Sequence, residues 1–231
     1  MNCGGSDINA KRQDEILDAI RKAFISVRDK YSDIRNESKR KSRQCRLSRA
    51  IIEQTIQNLN ALHWVGSSSI AVFGKRCDLS NGQYYGGNDN KPDRPIKNFN
   101  IEQELLYDIH MVEYTNIPHI DQSEIKIVKP ILQLESEFEH STKAIITDFN
   151  KLVCGSAAMK IMLLPRVGGN VQTFLKCIKS VADNIAGHLF IGILPYPEKW
   201  NQKSEMHMLN REELSRLNAT GWKNMAWETK L

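Results

Sequence analysis

The chain has 231 residues, 41% hydrophobic and 26% charged, with a formal net charge of +5. This is an ordinary globular composition, long enough to bury a real core as one domain or as one domain with an appendage. No apolar run approaches the roughly 18–20 residues of a membrane span, so a membrane partner is excluded.

The opening stretch, MNCGGSDINAKRQDE, lacks the apolar region of a secretory signal. Five scattered cysteines, Cys3, Cys45, Cys77, Cys154 and Cys177, show no CxxC spacing. They point to reduced thiols and a cytoplasmic location rather than a disulfide frame or a zinc site.

A first helix is predicted over 7–34, capped by Ser6 or Asp7, because Ile16, Ile20, Phe24, Val27, Tyr31 and Ile34 recur at helical spacing. A second follows over 46–63, with Leu47, Ile51, Ile52, Ile56, Leu59 and Leu62 on one face. Between them the charge is concentrated. Residues 28–49 hold nine Lys/Arg against three Asp/Glu, so the rest of the chain is slightly acidic. A local cationic patch suits a phosphate backbone, and it equally suits a solvated helix junction. The two helices and this basic elbow form a candidate N-terminal arm, 1–65, ahead of a core at 66–231; a single domain overall is the other division.

Residues 67–75 are short, β-branched and flanked by Gly, which predicts a strand. Residues 81–100, rich in Gly, Asn, Asp and Pro, predict a long loop of the kind that is functional or mobile. Strands are predicted at 102–114 and 125–138. A helix over 142–154 is capped by Thr142 and stopped by Gly155. A buried strand at 159–165, a helix at 170–187 closed by Gly187, and a buried strand at 188–197 follow. The tail, 198–231, is polar with a short helix at 210–218. Continuous apolar runs at 159–165 and 188–195 mark central strands covered on both faces. The class is therefore α/β, a mixed sheet flanked by helices.

The third of these strands ends in ILQLESEFE, an apolar run closing on Glu135, Glu137 and Glu139. Alternation puts Glu135 and Glu137 on one face. Paired carboxylates repel, and burying them is costly unless a cation is shared. Mg²⁺ takes one or two protein carboxylates and leaves positions for phosphate and water. Asp108 interrupts the preceding apolar strand, an unexpected place for an acid without a partner. The helix after the acids carries Lys151, with Asp148 three residues before it, a spacing that pairs the two. The bland alternative is a solvated strand end beside an ordinary exposed helix pair.

At these residues the chain resembles the PD-(D/E)XK nuclease superfamily. An acid on one strand, Asp108 in LLYDIHMV, precedes Glu135-x-Glu137 on the next, then the helix with DFNKL and a further strand. The resemblance spans about residues 100–195, with Tyr107 where the family has Pro and Glu137 where it has Lys. It implies a restriction-endonuclease-like three-layer core and Mg²⁺-dependent hydrolysis of DNA, with Mn²⁺ as a substitute. It implies that Asp108 and Glu135 bind the metal, that Glu137 is a ligand or water-orienting base, and that Lys151 replaces the motif lysine.

A literal Pro-Asp with Glu-x-Lys is also spelled by Pro92-Asp93 and Glu124-Ile125-Lys126, but Asp93 falls in the predicted loop. Gly168-Gly169 ahead of a helix suits a phosphate or a plain turn. His110 shares the face of Asp108. No HExxH, nucleophile elbow, P-loop or GxGxxG is present. The expected DNA contacts are Arg40, Lys41, Arg43 and Arg46 of the elbow, and Lys75 and Arg76 after the first strand. The function expected is a restriction-type DNA endonuclease, and the resemblance implies that it can work as a symmetric homodimer. The alternative is a non-catalytic nucleic-acid-binding or protein-interaction module on the same fold.

Overall fold

The computed structural model describes residues 8–31, 40–66, 69–74, 107–116, 125–138, 141–196, 200 and 202–225. Helix α1 (Ala10–Tyr31) starts at Asn9, whose side chain accepts the Arg12 N–H at 2.9 Å. Asn9 therefore does the capping expected of Ser6 or Asp7. Helix α2 (Arg40–Asn60) is followed by a single turn, α3 (His63–Gly66). The basic positions Arg40, Lys41, Arg43 and Arg46 thus lie in the first turns of α2, not on an elbow between helices. Lys and Arg are good helix formers, so a run of them does not break a helix.

Strands β1 (Ile70–Gly74), β2 (Ile109–Asn116) and β3 (Ile125–Ser136) form an antiparallel meander. Helix α4 (Thr142–Cys154) then crosses over to β4 (Met159–Pro165), parallel to β3, and α5 (Val171–Ala182) crosses to β5 (His188–Leu194), parallel to β4. Strand β6 (His207–Asn210) closes the far edge antiparallel to β5, and α6 (Arg211–Arg216) and α7 (Ala219–Asn224) follow. Among the described residues the sheet has six strands in the order β1-β2-β3-β4-β5-β6. The class is α/β, as expected.

Two apolar layers sandwich the sheet. On one face Ile16, Ile20 and Phe24 of α1 and Ile51, Ile56 and Leu59 of α2 pack in one cluster with Ile109, Leu132, Leu134 and Ile161. The helices expected as an N-terminal arm are therefore one outer layer of the fold. On the other face Ile145, Phe149 and Leu152 of α4 and Phe174, Leu175 and Ile178 of α5 meet Met162, Leu164, Ile191 and Ile193. The polar tail is packed rather than loose: Trp222 is buried, stacks edge-on to Phe174 at 5.5 Å and donates its indole N–H to the Val167 carbonyl. Burying such an aromatic contributes about 1.5–3 kcal/mol.

Helix α4 is capped by Ser141, not Thr142, through the Ala144 N–H. Helix α5 is capped by Asn170 and ends at Ala182, short of Gly187. Gly187 sits at φ 81 in the turn into β5, where a Cβ would lie 2.6 Å from the Ala158 carbonyl oxygen. That turn is held by two cations. Buried Lys160 donates to the Ala186 carbonyl at 3.0 Å, and Arg211 donates to the carbonyls of Ala182, Ile185 and Gly187.

Strand β3 is the longest, and β4 pairs only with Leu132–Ser136. Its first half, Ile125–Ile131, is paired with β2 and not with β4; Ile125–Ile127 run on with Tyr114–Asn116 past the end of the β1 pairing, and register shifts fall at Met111/Val112 and Glu113/Tyr114. Ile127 and Val128 are exposed there, beside Lys126, Lys129 and Pro130. No helix among the described residues is long and apolar enough to cross a membrane.

Candidate active site

Strand alternation sorts β3. Leu132 and Leu134 enter the α1/α2 layer, while Gln133 and Glu135 turn to α4. Pairing of Ile109 with Leu134 brings Asp108, immediately before β2, level with the end of β3. Asp108 is buried, and its Oδ2 accepts the Ser136 N–H at 2.8 Å and the Ser136 hydroxyl at 2.7 Å. The carboxylate is thereby locked against the strand end.

Glu135 is 1% exposed. Lys151, on the third turn of α4, reaches it: Nζ lies 3.3 Å from Glu135 Oε2 and 2.6 Å from Asp148 Oδ1. The structure thus brings Lys151 to Glu135, with Asp148 beside the lysine and Asp108 near enough for its charge to act on Glu135. Glu135 Oε1 has no hydrogen-bond partner despite being buried. Burial first, and the Asp108 charge second, push the Glu135 carboxyl up to about 8, against the pull of Lys151. Burial lowers the Lys151 ammonium, but the hydrogen bond to Asp148 and the Glu135 charge more than offset it, and its net shift is upward.

Glu137 is different. It lies one residue past β3, with its N–H donating to the Leu163 carbonyl at 3.0 Å. Among the described residues no three His, Cys, Asp or Glu side chains are grouped to hold a metal ion. The three-carboxylate set expected of Asp108, Glu135 and Glu137 is therefore not assembled, and the shared pair is Asp108 with Glu135.

Two residues escaped the sequence reading. The Tyr107 hydroxyl donates to the Lys151 carbonyl at 3.1 Å, tying the start of β2 to the turn that carries the lysine. Burial, then the Glu135 charge, raise its pKa. No local pattern signals a bond between residues so far apart in sequence. Gly155, expected as a helix stop, has a second duty: a Cβ there would sit 2.0 Å from Gln133 Oε1 and 2.8 Å from the Tyr107 oxygen. Its absence lets α4 dock closely over β3.

His110 packs against Tyr107, ring centroids 5.5 Å apart, with both nitrogens buried and unpartnered. Burial depresses its pKa to about 4. Gly168 and Gly169 open onto a cavity of about 400 Å³ at the start of α5, also lined by Thr142, Asn170 and Tyr196 but by none of the site carboxylates. Lys75 and Arg76, the loop 81–100 and Asp93 lie outside the described residues, as do the side chains of Arg40, Lys41, Arg43 and Arg46. Of the alternative pairing, Lys126 is exposed near the far end of β3.

Comparison with protein-family models, with curated proteins and with solved structures finds no match.

Proposed function

We propose that the chain is a divalent-metal-dependent deoxyribonuclease of the restriction type, built on a restriction-endonuclease-like core. One observation carries this: buried Glu135 at the end of β3 is held by Lys151 of α4 and feels the charge of Asp108, just ahead of β2. The element order supports it. An acid ahead of β2, an acid at the end of β3, a helix and a further parallel strand follow the superfamily pattern on which the resemblance rests.

The residues fit Mg²⁺ or Mn²⁺. Two adjacent carboxylates, one with an orphaned buried oxygen, are a hard-oxygen donor pair, and Mg²⁺ asks for no more than one or two from the protein. When bound, the ion polarises a phosphoryl oxygen and acidifies a coordinated water. Asp108 and Glu135 hold it. Lys151, steadied by Asp148 and Tyr107, meets the negative charge that develops on the phosphoryl oxygens. The buried setting strengthens each of these interactions. The basic first turns of α2 supply phosphate contacts that position DNA without reading its sequence.

The test is incubation of plasmid and phage DNA with Mg²⁺ or EDTA, beside Asp108→Asn and Glu135→Gln. The expected result is Mg²⁺-dependent cleavage, lowered at least ~100-fold in each variant. Intact DNA binding with no cleavage by the wild type would overturn the enzymatic reading in favour of a binding module.

A further inference from the structure

Four charged side chains gather beside the end of β3: Asp108, Glu135, Asp148 and Lys151. Three are acids and one is a base, so the group is short of positive charge. The lysine divides its single charge unequally. It is 2.6 Å from Asp148 and 3.3 Å from Glu135. The shorter contact lies within one turn of α4, between residues three apart, and needs nothing from the sheet. The longer one exists only because α4 docks over β3. Lys151 is also the most exposed member of the group, with 31% of its side chain in solvent against 1% for Glu135. Its long stem leaves the head room to move. Once Lys151 is assigned to Asp148 and Glu135 has released its proton to the metal, Asp108 and Glu135 carry two negative charges between them, the charge of one divalent cation.

We propose that Lys151 is a displaceable internal cation: its ammonium holds Glu135 Oε2 in the metal-free protein and retreats onto Asp148 when a divalent cation occupies the Asp108–Glu135 pair. The proposal rests on the metal-binding part of the function proposed above. Lys151 and the metal then compete for Glu135, and Asp148 sets the outcome by offering the lysine a second seat. The retreat is short, since the lysine already touches Asp148. It leaves the ammonium beside the site, where its catalytic role requires it.

The experiment measures Mn²⁺ affinity by electron paramagnetic resonance of the free ion, without DNA and at a fixed pH. Wild type, Lys151→Met, Asp148→Asn and the double variant are compared, with Lys151→Gln as a second lysine replacement. Loss of the competing ammonium is expected to tighten Mn²⁺ binding roughly tenfold, while cleavage slows. Asp148→Asn is expected to weaken binding by a similar factor in the wild-type background and to lose most of that effect in Lys151→Met. Lysine variants that bind Mn²⁺ no better than wild type overturn the proposal and leave the metal site standing. So does an Asp148→Asn effect of equal size in both backgrounds, which would make Asp148 a direct electrostatic partner of the ion. Absence of Mn²⁺ binding in every protein removes the metal reading itself, and the proposal with it.

Discussion

The Glu135 carboxyl makes the protein's stability depend on pH in a way that a single substitution isolates. Its pKa stands at about 8 in the fold, against 4.5 for the free side chain. Between those values the folded state holds a proton that the unfolded state has released. Stability from this group is therefore fully present below about pH 4.5 and lost as pH rises through 8. The whole shift corresponds to a loss on the order of 5 kcal/mol, approached at high pH. His110 works in the opposite direction but at lower pH: its pKa of about 4 lies below the ordinary 6.5, so its contribution is complete above pH 6.5. The window from 6.5 upward therefore belongs to Glu135. Urea unfolding of the metal-free protein from pH 6.5 to 9 should show stability falling with a slope close to one proton at pH 6.5 and levelling off above pH 8. Glu135→Gln, which keeps the shape and removes the titration, should flatten that slope. Saturating Mg²⁺ should stabilise the wild type more at pH 9 than at pH 6.5, and Glu135→Gln little at either. Identical slopes in wild type and variant would refute the claim that this carboxyl is protonated in the fold.

Other consequences are open to equally direct measurement. On the acid side, His110 is forced to stay neutral where the unfolded chain protonates, so its contribution falls as pH drops from 6.5 toward 4 while that of Glu135 rises; His110→Leu should therefore make stability rise more steeply toward pH 4.5 than in the wild type, in the same unfolding assay. If the first turns of α2 touch DNA, replacing Arg40, Lys41, Arg43 and Arg46 by Ala should reduce the slope of log affinity against log salt by about 0.9 for each phosphate no longer neutralised, read from fluorescence anisotropy titrations. A slope unchanged in the quadruple variant would move the interface elsewhere. Trp222→Ala should destabilise by about 3–5 kcal/mol, because the indole is fully enclosed and its N–H is paired; a loss below ~1 kcal/mol on chemical denaturation would mean that the tail is not part of the cooperative unit.

The elements whose cause is local were legible in the sequence. The buried strand 159–165 is observed as β4, and the helix 142–154 as α4, at the expected bounds. Unbroken apolar runs and a 3.6-residue stripe need no knowledge of what packs against them. Elements that depend on a partner were not legible. The sequence HMLN becomes β6 only because β5 offers it an edge, and α7 begins at a cap, Asn218, inside what reads as polar tail. The site divides the same way. Asp108 and Glu135 stood out as acids inside apolar runs, whereas the reach of Lys151 to Glu135 depends on how α4 docks over β3 and is seen only in the fold. Glu137 lies one residue beyond β3, where strand alternation alone does not set the direction of a side chain. Tyr107 carried no signal, since its contribution is one hydroxyl reaching a backbone carbonyl across the fold.

The overhanging first half of β3 bears on how the protein behaves in concentrated solution. Ile127 and Val128 show apolar surface on a stretch that β4 does not cover, the kind of edge that recruits a like strand from another chain. Lys126 and Lys129 place charge along it. Pro130 removes one amide donor from the ladder, and the two register shifts twist the strand pair out of flatness. These are gatekeepers against edge-to-edge association. Colloidal stability should therefore be more sensitive to Lys126, Lys129 and Pro130 than to any residue of the carboxylate site. Exchanging the two lysines for Thr or Val would leave the chemistry alone and bring on aggregation.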